Sequence, residues 1–167
     1  MNQELYLESL AQSLVSSKRF KHIQAMTKLA LSIAAAHHLN LHQVYLAALF
    51  HDCAKSWSKE RMIQILNVCD PNYLNNPEYM WHARCGAYYA KKYLMIRDQK
   101  ILNAIQHHVH GRITDPLTLV IYIADKCDET RAYDASEFIE LAYKDLKKAY
   151  LAVKKNTHDY ISERKAT

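Results

Sequence analysis

Apolar residues recur at intervals of three and four along most of the chain, the spacing that places them on one buried face of an α-helix. In the helix predicted over 19–38 this stripe contains His22 as well as Ile33, so a histidine faces the interior. The segment 41–54 is apolar on nearly every side, which indicates a buried helix. The same period predicts further helices over 3–16, 59–68, 80–95, 98–109, 116–129 and 134–156.

Capping residues support several of these helix ends. Ser58 is a good N-cap for the helix that follows it, and Asp115 is a good N-cap for a helix whose first residue is Pro116. Asp134, with Glu137 three residues later, resembles a capping box and predicts where the last helix begins. That last helix is expected to bury an apolar stripe made of Phe138, Ala142, Leu146, Ala149 and Val153.

Glycine and proline are scarce, with two and three residues respectively in a chain of 167. Sheets joined by tight turns usually need more of both, so this scarcity favours helices joined by short loops. Gly111 is placed to stop the helix 98–109, and the stretch 70–77, rich in proline and asparagine, is the longest predicted loop. Because no repeat, linker or strand candidate is found, we expect one all-α domain over 1–167, a bundle of about seven or eight helices.

The charge balance is modest, with 22 basic and 17 acidic residues and a net charge of +5. In the densest basic stretch, 144–155, basic residues alternate with apolar ones, which is typical of a solvated helix face and makes nucleic-acid binding the weaker interpretation.

No apolar run is long enough to span a membrane and the start lacks a signal-peptide layout, so we expect a cytoplasmic protein. The four cysteines form no C-x-x-C pair and are expected to be free thiols. The oligomeric state stays open, a homodimer included.

The dipeptide His51-Asp52 is the first candidate for chemistry. With ten histidines and nine aspartates in the chain, about half of one such pair is expected by chance. A second pair, His158-Asp159, is interpreted as chance. The first pair differs because it ends the most apolar helix, where burying an unpaired carboxylate is costly. A bound metal ion removes that cost, so the setting favours a metal ligand.

Three further fragments repeat this situation. His22 lies on an apolar stripe, Asp125 follows a wholly apolar helical run, and His108 ends a helix beside His107 and His110. Each fragment alone is more often a satisfied core residue than a ligand. Together they favour a metal centre, and imidazole combined with carboxylate suits iron, manganese or zinc better than calcium or magnesium.

The order of His22, His51-Asp52 and Asp125 resembles the HD-domain superfamily of metal-dependent phosphohydrolases. The local sequence is similar to the YqeK subfamily in five places: 19–22, 47–55, 82–83 with 86–87, 104–108 with Gly111-Arg112, and 121–126 with Arg131. The similarity covers about residues 18–155, in the same order along the chain. The resemblance therefore implies an all-helical HD domain.

This resemblance also implies an activity, the symmetrical hydrolysis of diadenosine tetraphosphate to two ADP by a hydroxide that bridges two metal ions. The ions are expected to be iron, divalent or mixed-valence, with manganese and zinc as alternatives. The implied ligands are His22, His51, Asp52, His82, His108 and Asp125. Asp52 is the natural bridge, since a carboxylate has two oxygens to share. His107 and His110 stay open as alternatives to His108.

Cationic side chains are expected to contact the charges of the tetraphosphate that the metals do not reach. Lys55 is the best candidate, because it lies four residues after His51, and we interpret Asp52 and Lys55 as catalytic. Arg112 and Arg131 are further substrate-binding candidates, since a guanidinium group matches phosphate oxygens. The expected partner is therefore a dinucleoside polyphosphate or another nucleotide.

Two other hypotheses remain. An HD-type phosphohydrolase could act on another nucleotide, such as a nucleoside monophosphate or a deoxynucleoside triphosphate, and a one-metal site would need only His22, His51, Asp52 and Asp125. Alternatively, the chain could be a non-catalytic module that binds a metal or a nucleotide. Such modules usually lose one or more ligands, whereas all six candidates are present here, so the sequence favours an enzyme.

Overall fold

The computed structural model describes residues 3–111 and 115–166, and in these ranges the chain forms α-helices without any β-strand. The α-helices are α1 (Gln3–Leu14), α2 (Ser17–Ala36), α3 (Leu41–Phe50), α4 (Lys59–Cys69), α5 (Trp81–Lys92), α6 (Gln99–His107), α7 (Pro116–Cys127), α8 (Ser136–Lys144) and α9 (Leu146–Ala166). The predicted all-α class is confirmed. None of the helices in the described ranges has both the length and the apolar character that a membrane span requires.

Two of the predicted N-caps form as expected. The side chain of Ser58 accepts a hydrogen bond from the backbone N–H of Arg61 at 3.3 Å, and α4 begins at the next residue. The side chain of Asp115 accepts from the backbone N–H of Thr118 at 3.1 Å, with Pro116 as the first residue of α7. These caps satisfy backbone N–H groups that have no partner inside the helix.

The single helix predicted over 134–156 is wrong, because Asp145 divides it into α8 and α9. The backbone of Asp145 is extended, and its carboxylate accepts a hydrogen bond from the backbone N–H of Lys148 at 3.0 Å, which caps α9. The predicted start is also wrong by two residues, because Asp134 binds the backbone N–H and hydroxyl of Ser136 at 2.9 and 2.7 Å. This division raises the number of α-helices in the described ranges above the predicted seven or eight.

The predicted loop 70–77 is more regular than its composition suggests. It contains the 3-10 helix Pro71–Asn75, and a second one, Glu78–Met80, leads directly into α5. Arg84 of α5 holds the segment through a 3.0 Å ion pair with Asp70. The loop is therefore attached to the helix that carries His82.

Helix α7 lies at the centre of the molecule and packs against α2, α3, α6, α8 and α9. Ten of its twelve residues are buried, which explains why its sequence is a nearly continuous apolar run and not a stripe. Helices α5 and α6 pack against each other, joined by a short connection, so the start of α5 lies near the end of α6. All four cysteines are free thiols, as predicted.

Replacing Gly111 by alanine is expected to lower the free energy of unfolding by about 2–4 kcal/mol. Gly111 has a φ of +55°, and a Cβ atom there would lie 2.7 Å from Cε2 of Tyr122. Gly86→Ala is the matched control, because Gly86 lies inside α5 and its Cβ would approach nothing closer than Sγ of Cys53 at 3.3 Å. Urea denaturation should show a change of less than about 1 kcal/mol for the control. Equal losses in both variants would contradict the argument.

Candidate metal centre

Five helices bring six polar side chains to one buried point. His22 lies in the second turn of α2, His82 is the second residue of α5, and Asp125 lies in the last turn of α7. His51 and His108 are the C-cap residues of α3 and α6. We call the six side chains the His/Asp centre: His22, His51, Asp52, His82, His108 and Asp125. None of these residues is more than 6% exposed.

The first half of the His/Asp centre is formed by His22, His51 and Asp125. Nε2 of His22 lies 3.1 Å from Oδ1 of Asp125, and Nε2 of His51 lies 3.7 Å from the same oxygen. These three ligand atoms are close enough to hold one metal ion. Asp52 adjoins this group, with Oδ2 at 3.5 Å from Nε2 of His51.

The second half is formed by Asp52, His82 and His108. Oδ1 of Asp52 lies 3.1 Å from Nε2 of His82 and 3.4 Å from Nε2 of His108. The two imidazole Nε2 atoms are 3.2 Å apart. One oxygen of Asp52 thus faces each half, the arrangement expected of a bridging carboxylate.

In their neutral form, the rings of His51 and His108 direct a lone pair, and not an N–H group, into the His/Asp centre. Nδ1 of His51 lies 2.7 Å from the carbonyl oxygen of Ala48, and Nδ1 of His108 lies 2.7 Å from that of Ile105. A carbonyl only accepts, so each Nδ1 donates, and a neutral ring then has its lone pair on Nε2. Nε2 of His51 is fully buried and has no hydrogen-bond partner among the described residues.

The distances between the nitrogen and oxygen atoms of the His/Asp centre fit a metal ion bound between them. Adjacent ligands of a metal with bonds of about 2.1 Å lie roughly 3 Å apart. The separations in the His/Asp centre range from 3.1 to 3.7 Å, and they join atoms that are mostly acceptors. Two acceptors held this close need a positive charge between them, which either a proton or a metal ion supplies.

The pKa shifts of the buried groups also indicate a cation site in the His/Asp centre. Burial alone would lower the pKa of His51, but the carboxylates of Asp52 and Asp125 raise it to about 10. Burial likewise opposes the charge of Asp52, yet the positive charge of the facing His51 ring holds the pKa of Asp52 well below the usual range. Burial lowers the pKa of His108 to about 4, so that ring is neutral. Negative charge is therefore concentrated beside His51, where a cation is stabilised.

Three basic side chains contact the carboxylates of the His/Asp centre. Nη1 of Arg19 lies 3.0 Å from Oδ2 of Asp52. Nζ of Lys126 lies 2.6 Å and Nη2 of Arg131 lies 2.8 Å from the two oxygens of Asp125. The sequence had assigned no role to Arg19 or Lys126, although Arg19 precedes His22 by one helical turn and Lys126 is adjacent to Asp125.

Of the substrate-binding candidates, Lys55 and Arg131 both contact residues of the His/Asp centre. Nζ of Lys55 lies 3.4 Å from Nδ1 of His82, at the edge of the His/Asp centre, and burial lowers the pKa of this lysine. Arg131 lies against Asp125 and Asp128 with a third of its side chain exposed. Arg112 lies outside the described residues.

Of the three neighbouring histidines, His108 is the one whose ring lies in the His/Asp centre. The ring of His110 points elsewhere, with Nε2 at 2.7 Å from the hydroxyl of Tyr73. The ring of His107 lies beside that of His110, with centroids 5.3 Å apart. The alternatives that the sequence left open therefore differ clearly in position.

Sequence reasoning also missed Asp128. Its carboxylate is buried behind His22, with Oδ2 at 3.1 Å from Nδ1 of that ring. The only available signal was its position three residues after Asp125, which is too common a spacing to single it out.

A helical bundle that gathers buried histidines and aspartates around a cation site has the architecture of a metal-dependent phosphohydrolase. A family model described as the HD domain matches residues 19–130, and the chain belongs to this family. This confirms the resemblance found in the sequence.

Among its relatives is the symmetrical bis(5'-nucleosyl)-tetraphosphatase of Bacillus subtilis, which is 34% identical over 98% of this chain and 90% of the relative. A probable nicotinate-nucleotide adenylyltransferase/Ap4A hydrolase of Mycoplasma genitalium is 28% identical over 95% of this chain. The chain spans 48% of that longer relative.

The fold is also similar to a solved structure. The crystal structure of a predicted HD superfamily hydrolase involved in NAD metabolism from Clostridium acetobutylicum superimposes with a TM-score of 0.87. The two are 29% identical, and the similarity covers 98% of this chain and 89% of the other. The helical arrangement described above is thus that of a known HD protein.

Proposed function

We propose that this chain is a symmetrical dinucleoside tetraphosphatase, which cleaves diadenosine tetraphosphate into two ADP at a centre of two metal ions. The observation that carries the proposal is the position of Asp52, whose two oxygens face the two halves of the His/Asp centre. A one-metal site would not need His82 and His108 against the second oxygen. The name and 34% identity of the Bacillus subtilis relative support the choice of substrate.

We assign each ligand to one of the two proposed ions according to which ligand atoms lie closest together. His22, His51 and Asp125 would hold the first ion together with Oδ2 of Asp52. His82 and His108 would hold the second together with Oδ1 of Asp52. Mixed nitrogen and oxygen ligands suit iron, the proposed metal, as well as manganese and zinc. When bound, such ions acidify a water molecule and neutralise charge on the phosphoryl group under attack.

Lys55 is proposed to bind a phosphate oxygen beside the second half of the His/Asp centre. Its Nζ reaches the His82 ring, so the charge of this exposed lysine lies beside the second half of the His/Asp centre. Arg131 keeps part of its guanidinium available, because the Asp128 and Asp125 contacts use only Nε and Nη2. The two Nη1 hydrogens can therefore donate to a second phosphate group.

Product analysis tests the proposed reaction directly. Purified protein loaded with iron or manganese is incubated with diadenosine tetraphosphate, and the nucleotides are separated by ion-exchange chromatography. ADP as the only product supports symmetrical attack. AMP together with ATP would contradict the proposed position of the phosphate chain. Turnover of a nucleoside monophosphate or a deoxynucleoside triphosphate, with none of the dinucleotide, would favour the other HD-type phosphohydrolases.

Replacing Lys55 by methionine is expected to lower kcat/KM for diadenosine tetraphosphate by about 10- to 100-fold, the effect of losing one charge-assisted hydrogen bond. The metal content should not change, because the ammonium group is not a ligand. Lys59→Met is the matched control, since Lys59 is an exposed lysine four residues away that pairs with Glu78 at 2.7 Å. Unaltered steady-state kinetics in Lys55→Met would remove Lys55 from the proposed site.

A further inference from the structure

The carboxylate of Asp128 lies directly behind the ring of His22, on the side opposite the His/Asp centre. Its Oδ2 is 3.1 Å from Nδ1, while Nε2 of the same ring is 3.1 Å from Oδ1 of Asp125. The Asp128 side chain is completely buried. A buried carboxylate is costly, so its position needs an explanation.

Neighbouring donors hold this carboxylate in one orientation. Oδ1 accepts hydrogen bonds from the backbone N–H of Thr130 at 3.0 Å and from its hydroxyl. Oδ2 accepts from Nε of Arg131 at 3.1 Å. Asp128 is also the C-cap of α7, with its backbone N–H donating to the carbonyl of Ala124 at 3.1 Å. The turn after α7 therefore holds Oδ2 of Asp128 at 3.1 Å from Nδ1 of His22.

The position of His22 explains why a side chain is needed for this purpose. His51 and His108 lie at helix ends, where the last carbonyls have no partner within the helix and can accept from Nδ1. His22 lies within α2, whose nearby carbonyls are used by the helix itself. An acceptor for its Nδ1 must therefore come from another element. The Asp128 carboxylate, at 3.1 Å, is nearer to Nδ1 than the Thr130 hydroxyl, at 3.4 Å.

We propose that Asp128 is a positioning residue that holds the Nδ1 proton and the ring of His22, so that Nε2 presents its lone pair to the first metal ion. A carboxylate acceptor also increases the electron density on the ligating nitrogen. The inference rests on the proposed two-metal function of the His/Asp centre. It assigns Asp128 a role in metal affinity and not in contact with the substrate.

Asp128→Asn tests this role, because the amide has nearly the same shape but offers one acceptor fewer and no charge. The affinity for Mn²⁺, measured by calorimetric titration of the metal-free protein, is expected to fall by about 10- to 100-fold. Asp134→Asn is the control, since Asp134 is an exposed carboxylate in the same segment that contacts Ser136. That variant should bind Mn²⁺ like the unmodified protein.

A double-mutant cycle with His22→Gln separates positioning from general support of the fold. If Asp128 acts through His22, Asp128→Asn should cause little further loss of Mn²⁺ affinity in the His22→Gln background. Equal losses in both backgrounds would overturn the proposal, and so would unchanged affinity in the single variant. Should Asp128→Asn fail to fold, Thr130→Ala removes both a donor to the carboxylate and a 3.4 Å contact with Nδ1 of His22. It is expected to give a smaller loss of affinity, again only when His22 is present.

This measurement does not depend on the reaction. A protein that binds Mn²⁺ through the coupled pair but releases no ADP would leave the role of Asp128 intact and contradict the proposed activity. Normal ADP release combined with additive losses of affinity would contradict the role of Asp128 alone.

Discussion

Asp52→Asn is expected to lower kcat for diadenosine tetraphosphate by on the order of 10³-fold. The carboxylate is 3% exposed, and its two oxygens face the two halves of the His/Asp centre. An amide has one oxygen, so one half must lose its shared ligand and face an NH₂ group instead. That group would also meet either Arg19 at 3.0 Å or His82 at 3.1 Å.

The chain contains its own control for this variant in Asp159. It follows His158 in the same dipeptide, but the pair is exposed, with 81% and 58% of the side chains accessible. Asp159→Asn should leave ADP release and metal content unchanged. Both variants are measured by product release and by elemental analysis of the purified protein. More than a tenth of the original activity in Asp52→Asn would be too much for a bridging ligand.

The helices were largely predictable because burial acts on a regular period. The stripe of the last segment shows both the strength and the limit of that argument. Ala142, Leu146 and Ala149 are all buried as predicted, although Asp145 interrupts the helix between them. The break keeps the apolar positions in phase, so the hydrophobic pattern does not reveal it. In the sequence only Asp145, a residue type that is preferred at N-caps, marks the boundary, and one such residue by itself does not locate a helix end.

The ligand candidates were visible for a similar reason. Five of the six are polar residues whose neighbours are apolar, as with Asp125 in the almost wholly buried α7. The sixth, His82, was implied only by the family resemblance. Arg19, Lys126 and Asp128 carry no such mark. They meet the His/Asp centre through tertiary contacts between α2, α7 and the turn that follows α7. With 22 basic residues in the chain, sequence spacing does not select the few that fold onto a buried carboxylate.

The same limit explains the uncertainty among three neighbouring histidines. His107, His108 and His110 differ in their angle around the end of α6, and a shift of one residue turns a side chain by about 100°. The contact of His108 with the carbonyl of Ile105 shows which one points inward. A stoichiometry experiment on these residues therefore tests the second metal ion and the choice of ligand together.

His108→Ala is expected to reduce the bound metal from two ions to one per chain and to lower ADP release by on the order of 10²-fold or more. The group of His22, His51 and Asp125 does not include this ring, so the first ion should remain. His110→Ala is the matched control, because its Nε2 contacts the hydroxyl of Tyr73 and not the His/Asp centre, so this variant should retain both ions.

The outcome separates the two-metal mechanism from the one-metal alternative. If the unmodified protein and His108→Ala both hold one ion, and both release ADP at similar rates, His108 is a buried structural histidine. In that case Asp52 bridges nothing, and His22, His51, Asp52 and Asp125 form the whole site. If the ion lost in His108→Ala is also lost when His82 is replaced, the two rings define one binding position. Their Nε2 atoms, 3.2 Å apart, already occupy the relative positions of two ligands of the same ion.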